Sequence, residues 1–209
     1  MPINRRGALT LTLRKAKKEA TRTRVVEASR ALFEEIGYQE TPVRAIAQRA
    51  GVSVGGVFTT FEGKTGILSH IVGEHRAGLI DEIAAIAPTL KGKTEERLKA
   101  VIALAHQAEF PRLRTVTAYI GASYGWSKTL EEEHRALHRK LSEAILAILM
   151  DGVAAGEIAK ETDLEMLLEM LSSVYQRNYR TAFFAGFSVD QLDQRIARQL
   201  PILLNGVRP

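Results

Sequence analysis

The spacing of three residues in the first third of the chain constrains its fold more than any other feature. Ala47, Gly51 and Val57 follow one another at intervals of four and six residues. Two short helices that cross closely need a small residue on the first helix, a turn residue that accepts a positive φ, and an apolar residue on the second helix that packs back onto the first. The pattern therefore predicts a helix-turn-helix unit.

Helical spacing of apolar residues continues along the rest of the chain, and no alternating run of β-branched residues extends beyond a few positions. We predict an all-α fold of about nine helices, with an N-terminal three-helix head that contains the helix-turn-helix and a C-terminal helical bundle. The predicted domains are a basic flexible arm over residues 1–20, the head over 21–76 and the bundle over 77–209. The longer predicted helices span residues 77–87, 94–109, 112–124, 128–155, 163–185 and 189–205.

Positive charge is concentrated in the N-terminal part. Residues 1–76 carry 13 Lys or Arg and 7 Asp or Glu, whereas the remainder carries 16 and 17. A basic head on a nearly neutral body indicates a polyanionic partner. A charge run by itself is more often a solvated tail, so this interpretation depends on the neighbouring helix-turn-helix.

Several classes of function are disfavoured. The chain has no Cys, which excludes a disulfide framework, a thiolate zinc site and a cysteine nucleophile. Neither a signal-peptide core nor a membrane-spanning stretch is evident, so we expect a cytoplasmic protein without membrane contact. Since no catalytic triad, P-loop or dinucleotide fingerprint is present, we predict neither enzymatic activity nor a cofactor.

His134 and His138 stand four residues apart, a spacing at which two imidazoles on one helix face can hold a metal ion. A third ligand is not evident, and the surrounding sequence EEEHRALHRK is typical of a solvated, charge-paired helix face. We therefore predict no metal site.

Residues 25–72 contain a set of positions that is typical of one family of DNA-binding proteins: Ala28, Leu32, Phe33, Gly37, Tyr38, Thr41, Ile46, Ala47, Ala50, Gly51, Val52, Ser53, Gly55, Phe61 and Lys64. Through these positions the segment resembles the DNA-binding head of the TetR family of transcriptional repressors. The resemblance implies that residues 53–60 form the recognition helix in the major groove. The candidate DNA-binding residues are Arg22, Arg24, Thr41, Arg44, Ser53, Val54, Gly55, Gly56, Phe58, Thr59, Thr60 and Lys64.

Different contacts are expected for the residues outside the recognition helix. Thr41, as the N-cap of the second helix, and Lys64, at the start of the fourth, suit the phosphate backbone. Arg44 suits a phosphate or a base edge, and Arg22 and Arg24 suit the backbone or the minor groove. The simpler alternatives are a plain helix cap for Thr41 and solvated side chains for Arg44 and Lys64.

Two positions depart from the family pattern. Phe58 stands where the family usually has Tyr, and it cannot donate a hydrogen bond to a phosphate. Thr60 stands where an aromatic residue or His is common. Both replacements indicate weaker or redistributed phosphate contacts.

A pair of glycines, Gly55 and Gly56, is expected on the groove-facing side of the recognition helix, where it lets the backbone approach DNA. The inner face of this helix is assigned to Val54, Val57 and Phe58. Base-specific contacts are then expected from Ser53, Thr59 and Thr60, with Arg44 as a further candidate.

The C-terminal bundle suggests two further functions. The resemblance implies that the last two helices pair with those of a second copy, so that a homodimer reads a palindromic operator; the alternative is that their apolar stripe is intramolecular core. The aromatic and polar residues gathered in the bundle are candidates for binding a small molecule, although ordinary core packing remains an alternative for each aromatic. These candidates are His106, Phe110, Tyr119, Tyr124, Trp126, Tyr175, Asn178, Tyr179 and Phe183.

The sequence therefore predicts a dimeric, ligand-responsive repressor that an unknown small molecule releases from its double-stranded DNA operator. Two alternatives stay open: an all-helical enzyme, and a non-specific DNA-binding or protein-interaction module.

Overall fold

The computed structural model describes residues 5–207, and within that range the chain forms nine α-helices, two short 3-10 helices and no strand. The α-helices are α1 (Arg5–Glu35), α2 (Val43–Ala50), α3 (Val54–Phe58), α4 (Gly63–Ile86), α5 (Thr94–Glu109), α6 (Leu113–Ser123), α7 (Lys128–Ala154), α8 (Leu164–Ala185) and α9 (Val189–Asn205). The 3-10 helices span Ala87–Thr89 and Phe110–Arg112. The predicted all-α fold is confirmed.

The first helix is longer than expected. A flexible arm was predicted over residues 1–20, but α1 begins at Arg5 and runs without a break to Glu35. Residues 5–20 are mostly Ala, Leu, Lys and Arg, which are strong helix formers, and this local preference extends the helix toward the N-terminus. Residues 1–4 of the predicted arm lie outside the described residues.

The chain divides into two compact units, a first unit of Met1–Ile71 and a second unit of Val72–Pro209. The division lies inside α4, five residues before the predicted boundary at residue 76. A separate helix was expected over residues 77–87, but residues 77–86 are the C-terminal part of α4 and Ala87 begins the 3-10 helix that follows. The reason is that Gly73 and Gly78 keep helical φ angles, unlike Gly63 at the start of the helix.

In the first unit, α1 packs against α2 and α2 packs against α3. Gly51 adopts the left-handed conformation with φ 63°, and the next N–H, that of Val52, donates to the carbonyl of Ala47 at 3.0 Å. Ala47 and Val57 are both buried. The three residues whose spacing predicted the helix-turn-helix therefore occupy the expected positions.

In the second unit, α5 packs against α7 and α9, and α8 packs against α6, α7 and α9. The core is aliphatic and includes Leu98, Ile148, Leu149, Leu171 and Leu200, all fully or almost fully buried. None of the helices in residues 5–207 combines the length and apolar character that crossing a bilayer requires.

Candidate DNA interface and candidate ligand cavity

The hydroxyl groups that flank α3 bond to the backbone of this helix. Ser53 is the N-cap, and its Oγ accepts a hydrogen bond from the Gly56 N–H at 3.0 Å. Thr59 and Thr60 both donate to the Gly56 carbonyl, at 3.0 and 2.8 Å. Each of the three residues expected to supply base contacts therefore uses one hydrogen bond of its hydroxyl to stabilise this five-residue helix.

The exposed face of α3 is apolar. Val57 is fully buried and Phe61, one turn later, continues the same buried stripe. Val54 and Phe58, also one turn apart, are 43% and 58% exposed. The prediction that Val54 and Phe58 belong to the inner face is wrong, because so short a helix buries a single stripe and that stripe is taken by Val57 and Phe61.

The two glycines of α3 differ in how much space surrounds them. A Cβ added at Gly55 would meet the Ser53 Oγ only at 3.9 Å, an ordinary van der Waals distance. A Cβ added at Gly56 would lie 3.3 Å from the same oxygen, close enough to press on the capping hydroxyl. The fold of the first unit therefore leaves room for a side chain at position 55, although the sequence places none there.

Thr41 is not the N-cap of α2, although the sequence suggested that role. The N-cap of α2 is Pro42, with no side-chain cap. Thr41 is fully buried and its hydroxyl donates to the Gly37 carbonyl at 2.7 Å. Because Gly37 has a φ of 89°, the chain reverses there and brings Thr41 against the end of α1. Its hydroxyl is therefore not available to a phosphate in this structure.

Lys64 is also held within the first unit. Its Nζ donates to the carbonyls of Tyr38 and Gln39 at 2.6 and 3.1 Å and lies 4.4 Å from the centre of the Tyr38 ring. Burial lowers the pKa of the ammonium, with the charge of Glu40 opposing that shift. Lys64 ties the loop after α1 to the first turn of α4. Sequence reasoning missed this because the acceptors are backbone carbonyls.

Arg22 is the most constrained of the candidate arginines. Its Nη2 lies 3.1 Å from the His70 Nδ1, and its guanidinium stacks 4.6 Å from the centre of the Phe61 ring. These contacts fix the side chain on the surface between α1 and α4.

Arg24 and Arg44 are exposed on the same unit. The Arg24 Nη1 lies 3.7 Å from the position that a Cβ on Gly51 would take, which puts one cation beside the turn between α2 and α3. Arg49, on the last turn of α2, is paired with Glu35 at 2.6 Å. Arg24 and Arg44 are therefore the two candidate cations whose exposure suits long-range attraction to phosphates.

The second unit contains a cavity of about 650 Å³, within the usual range for small-molecule sites. One part of its wall is aliphatic, with Leu79, Ile80, Ile83, Leu98, Val101, Ile102, Ala105, Ile120, Leu141, Ile145, Leu168 and Leu171. The other part is polar and aromatic, with Arg76, Glu109, Tyr119, Ser123, Trp126, Glu131, His134, Arg135, His138, Arg139, Ser142, Ser172, Tyr175 and Gln176. A ligand with an apolar body and a polar group fits such a wall.

A buried ion pair dominates the polar part of this wall. The Arg76 Nε donates to the Glu109 Oε1 at 2.6 Å, and the Tyr175 hydroxyl donates to the Glu109 Oε2 at 2.9 Å. The Tyr175 and Tyr179 hydroxyls are 2.9 Å apart. Burial raises the pKa of both tyrosines, and the charge of Glu109 adds to the shift. Both phenols are therefore neutral near pH 7.

The guanidinium of Arg76 stays charged in spite of its burial. Burial is the largest single effect and lowers its pKa, but the charge of and hydrogen bond to Glu109, together with Tyr175 and Tyr119, outweigh it and the pKa is raised. The guanidinium also lies 5.0 Å from the centre of the Tyr119 ring. Arg76 and Glu109 thus form a buried pair without net charge.

Two histidines of α7 extend the network. The His134 Nδ1 is 2.7 Å from the Tyr119 hydroxyl, and the His138 Nε2 is 3.4 Å from the Arg76 Nη1. Burial and then the charge of Arg76 lower the pKa of both rings, that of His138 to about 3. His138 is therefore neutral near pH 7, and its Nε2 accepts from Arg76, which can only donate.

One donor at the cavity wall lacks a hydrogen-bond partner among the described residues. The indole Nε1 of Trp126 is buried and unpaired, and its ring lies 5.0 Å from those of Tyr119 and His134. Buried donors usually find a partner. A polar atom of a bound molecule would supply one here.

Three of the nine predicted ligand residues, Tyr119, Trp126 and Tyr175, line the cavity. Tyr179 lies behind Tyr175, and His106 stacks on Tyr175 at 5.4 Å between ring centres. The His106 Nδ1 contacts the Asp193 carboxylate, so His106 belongs to the packing between α5 and α9. Burial lowers its pKa, with Asp193 opposing that shift.

The other four predicted ligand residues lie outside the lining. Asn178 is buried and joins α8 to α9 by bonding to Gln199 at 2.7 Å and Arg195 at 2.8 Å. Phe110 packs against an aliphatic and aromatic cluster. Tyr124 is 88% exposed, and Phe183 is partly exposed.

Sequence reasoning missed Arg76, Glu109, His134 and His138. Arg76 shares its helix face with the buried apolar residues Val72, Leu79 and Ile80, and an isolated charge on such a face is a signal that could have pointed to it. The prediction that the histidines belong to a solvated face is wrong, because they line the cavity while Glu131 and Arg135 pair beside them at 2.6 Å. No group of three His, Asp or Glu in the part of the chain that the structure describes is arranged to hold a metal ion.

Comparison with known proteins finds a family match within the first unit. Residues 25–71 match the bacterial regulatory proteins of the tetR family. The Probable HTH-type transcriptional regulator YttP of Bacillus subtilis is 30% identical over 86 residues, which is 41% of this chain and 42% of that protein. The HTH-type transcriptional regulator BetI of Cronobacter sakazakii is 30% identical over 82 residues, which is 39% and 41% of the two chains. The chain thus spans about two fifths of the curated relatives that it matches.

Solved structures match nearly the whole chain. A transcriptional regulator of the TetR/AcrR family from Thermobifida fusca has a TM-score of 0.62 at 28% identity, covering 90% of this chain and 98% of that one. FadR from Bacillus subtilis, solved in complex with stearoyl-CoA, has a TM-score of 0.66 at 19% identity, covering 89% and 99%. FadR from Thermus thermophilus, solved with lauroyl-CoA, has a TM-score of 0.65 at 21% identity, covering 86% and 92%. The two FadR structures share the fold of this chain.

Proposed function

We propose that the chain, whose residues 25–71 match the bacterial regulatory proteins of the tetR family, is a sequence-specific DNA-binding transcriptional regulator of that family. In this proposal it acts in the cytoplasm as a repressor and not as an enzyme. The observation that carries the DNA-binding part is the turn at Gly51, with Ala47 and Val57 buried on either side of it. This geometry supports presentation of α3 to the major groove.

We further propose that a small molecule bound in the cavity of the second unit releases the protein from DNA. The cavity supports a ligand with an apolar body against the aliphatic wall and a polar group near Arg76, Trp126 and His138. Because the FadR proteins with the same fold were solved with stearoyl-CoA and lauroyl-CoA, a long-chain acyl thioester is the first compound class to test. The ligand must bind the DNA-free state more tightly than the DNA-bound state in order to release it.

A homodimer is proposed to present two copies of α3 to a palindromic operator. Part of the apolar stripe of the last two helices is intramolecular core, since Leu167, Leu171, Leu192, Ile196 and Leu200 are buried within the unit. Other large apolar side chains of α8 and α9 remain exposed, and these support a surface for a second copy. They are Met166, Met170, Phe183, Phe184 and Ile202.

Release by ligand is tested on a duplex selected from random sequences by the purified full-length protein. We expect saturating stearoyl-CoA or lauroyl-CoA to weaken binding at least about tenfold, within the usual range of coupling between two sites. Ser142→Trp, on the cavity wall of α7, should fill part of the space and abolish the response while DNA binding is retained. Fluorescence anisotropy of labelled DNA measures both effects.

The matched control is Ala147→Trp, which places the same side chain at an exposed position of α7 outside the cavity lining. This variant should respond to ligand like the wild type. If calorimetry shows that the ligand binds and the affinity for DNA is nevertheless unchanged, ligand release is contradicted. If neither stearoyl-CoA nor lauroyl-CoA binds, the acyl-thioester class is rejected.

A further inference from the structure

The groove-facing surface of α3 offers few hydrogen bonds from side chains. Ser53, Thr59 and Thr60 bond to the backbone around Gly56, and Gly55 has no side chain. A bidentate contact with a base edge, the usual source of direct readout, requires Arg, Lys, Asn or Gln. Residues 53–60 contain none of these four types.

The same surface carries two exposed apolar side chains. Val54 and Phe58 stand four residues apart and so project from one side of α3. Both are among the exposed large apolar residues of the chain. A Cβ built on Gly63 would lie 3.5 Å from the Phe58 Cε1, so the phenyl ring lies beside the first residue of α4. Val54 and Phe58 are called the apolar pair below.

Gly55, next to Val54, lets a partner surface approach the apolar pair closely. Position 55 has room for a side chain in the free protein, so its absence there is not required by the packing of the first unit. An unsubstituted Cα lets another surface approach the helix closely. Charge complementarity indicates the partner, because Arg24 and Arg44 are exposed on the unit that carries the apolar pair and attract a polyanion.

One feature of the major groove is chemically complementary to an apolar side chain. Thymine alone carries a C5-methyl group, whereas the other base edges present hydrogen-bond donors and acceptors. Covering those polar groups with Val or Phe would remove their water without replacing the hydrogen bonds, which is costly. An apolar surface therefore favours thymine and disfavours cytosine at the contacted positions.

We propose that this chain recognises its DNA site through thymine methyl groups, with Val54 and Phe58 as specificity-determining residues and Gly55 allowing their close approach. The inference rests on the proposed DNA-binding function and deepens it by naming the chemical group that is read. Arg24 and Arg44 contribute phosphate attraction that does not depend on sequence.

Deoxyuridine tests the proposal directly, because it replaces the thymine methyl group with hydrogen and keeps the same pairing edge. A duplex is first selected from random sequences by the full-length protein, and each thymine of the selected site is then replaced singly. We expect at least one position in each half-site at which the replacement weakens wild-type binding about fivefold or more, a discrimination of the order that one base contact provides. Replacements outside the selected site should have no effect.

Variants assign the discrimination to the apolar pair. Phe58→Ala should bind the thymine duplex more weakly and should bind the thymine and deoxyuridine duplexes equally at the position that it contacts. Gly55→Ala should raise the melting temperature, because Ala favours the helix, and yet weaken binding. Arg44→Ala is the matched control: its affinity should fall for every duplex while the ratio between thymine and deoxyuridine is kept.

The outcomes separate this inference from the function on which it rests. A selection that enriches no sequence would overturn the DNA-binding function and the inference together. An enriched site at which wild-type protein binds every deoxyuridine duplex as tightly as the thymine duplex would overturn the inference alone. Retention of the thymine preference by both Phe58→Ala and Val54→Ala would overturn the assignment to the apolar pair.

Discussion

Arg76→Met is expected to lower the free energy of unfolding by about 3 to 5 kcal/mol, the usual cost of removing one partner from a buried ion pair. The Glu109 carboxylate is almost fully buried and would keep the hydrogen bond from the neutral Tyr175 hydroxyl but no longer its cationic partner. A buried charge without a counter-charge is the physical cause of the loss. Urea titration followed by the fluorescence of Trp126, the only tryptophan of the chain, reports on the second unit.

Two variants give this prediction its controls. Arg135→Met makes the same substitution in an exposed pair with Glu131 on α7 and should cost about 0.5 kcal/mol or less. The double variant Arg76→Met with Glu109→Leu removes both charges and should recover most of the stability. If Arg76→Met and Arg135→Met cost the same small amount, the buried pair does not have the energetic role assigned to it.

Acid is expected to destabilise the second unit well before most carboxylates are protonated. The pKa of His138 is about 3 in the folded protein and about 6.5 in an unfolded chain. Between these two values the unfolded state binds more protons than the folded state, so the free energy of unfolding falls as the pH falls. The contribution of the neutral His138 to the free energy of unfolding is fully present above about pH 6.5 and is lost progressively toward pH 3. His134, whose pKa is also lowered by burial, acts in the same direction.

The size of the effect follows from proton linkage. One histidine whose pKa is lowered in the folded state changes the free energy of unfolding by about 1.4 kcal/mol per pH unit. Partial exposure of His138 reduces this slope to about 1 kcal/mol per pH unit. His138→Gln keeps an acceptor near Arg76 but does not titrate, so its stability should fall less steeply than that of the wild type between pH 7 and pH 5. Urea titrations at several pH values measure both slopes, and parallel slopes would show that His138 is not the group responsible.

The helix-turn-helix could be predicted from the sequence because its determinants are local. Ala47, Gly51 and Val57 act within eleven consecutive residues, and their roles depend on helix geometry alone. The exposure of Val54 and Phe58 was not predictable in the same way. Two neighbouring stripes along α3 are apolar, one with Val54 and Phe58 and the other with Val57 and Phe61. Which of them is exposed depends on which one the rest of the first unit covers.

The candidate cavity depended on contacts between distant segments. Arg76 and Glu109 are separated by 33 residues and pair only because α4 and α5 pack in the same unit. Lys64 and Thr41 looked like phosphate ligands because each stands near a helix start, yet the loop that reverses at Gly37 supplies carbonyls that bind both of them. Helix ends could be predicted from capping and helix-breaking residues. The loop carbonyls that accept hydrogen bonds from Thr41 and Lys64 could not be predicted, because they depend on the path of the chain.

The ratio of dissociation constants for a selected duplex and a scrambled duplex of the same length and composition tests the central claim most directly. Both are measured with the full-length protein at one salt concentration near the physiological value. The concentration must be the same because phosphate contacts make the affinity for any DNA depend strongly on salt. A sequence-specific regulator should bind the selected duplex at least about 1,000-fold more tightly. Equal affinity for the two duplexes would contradict the account.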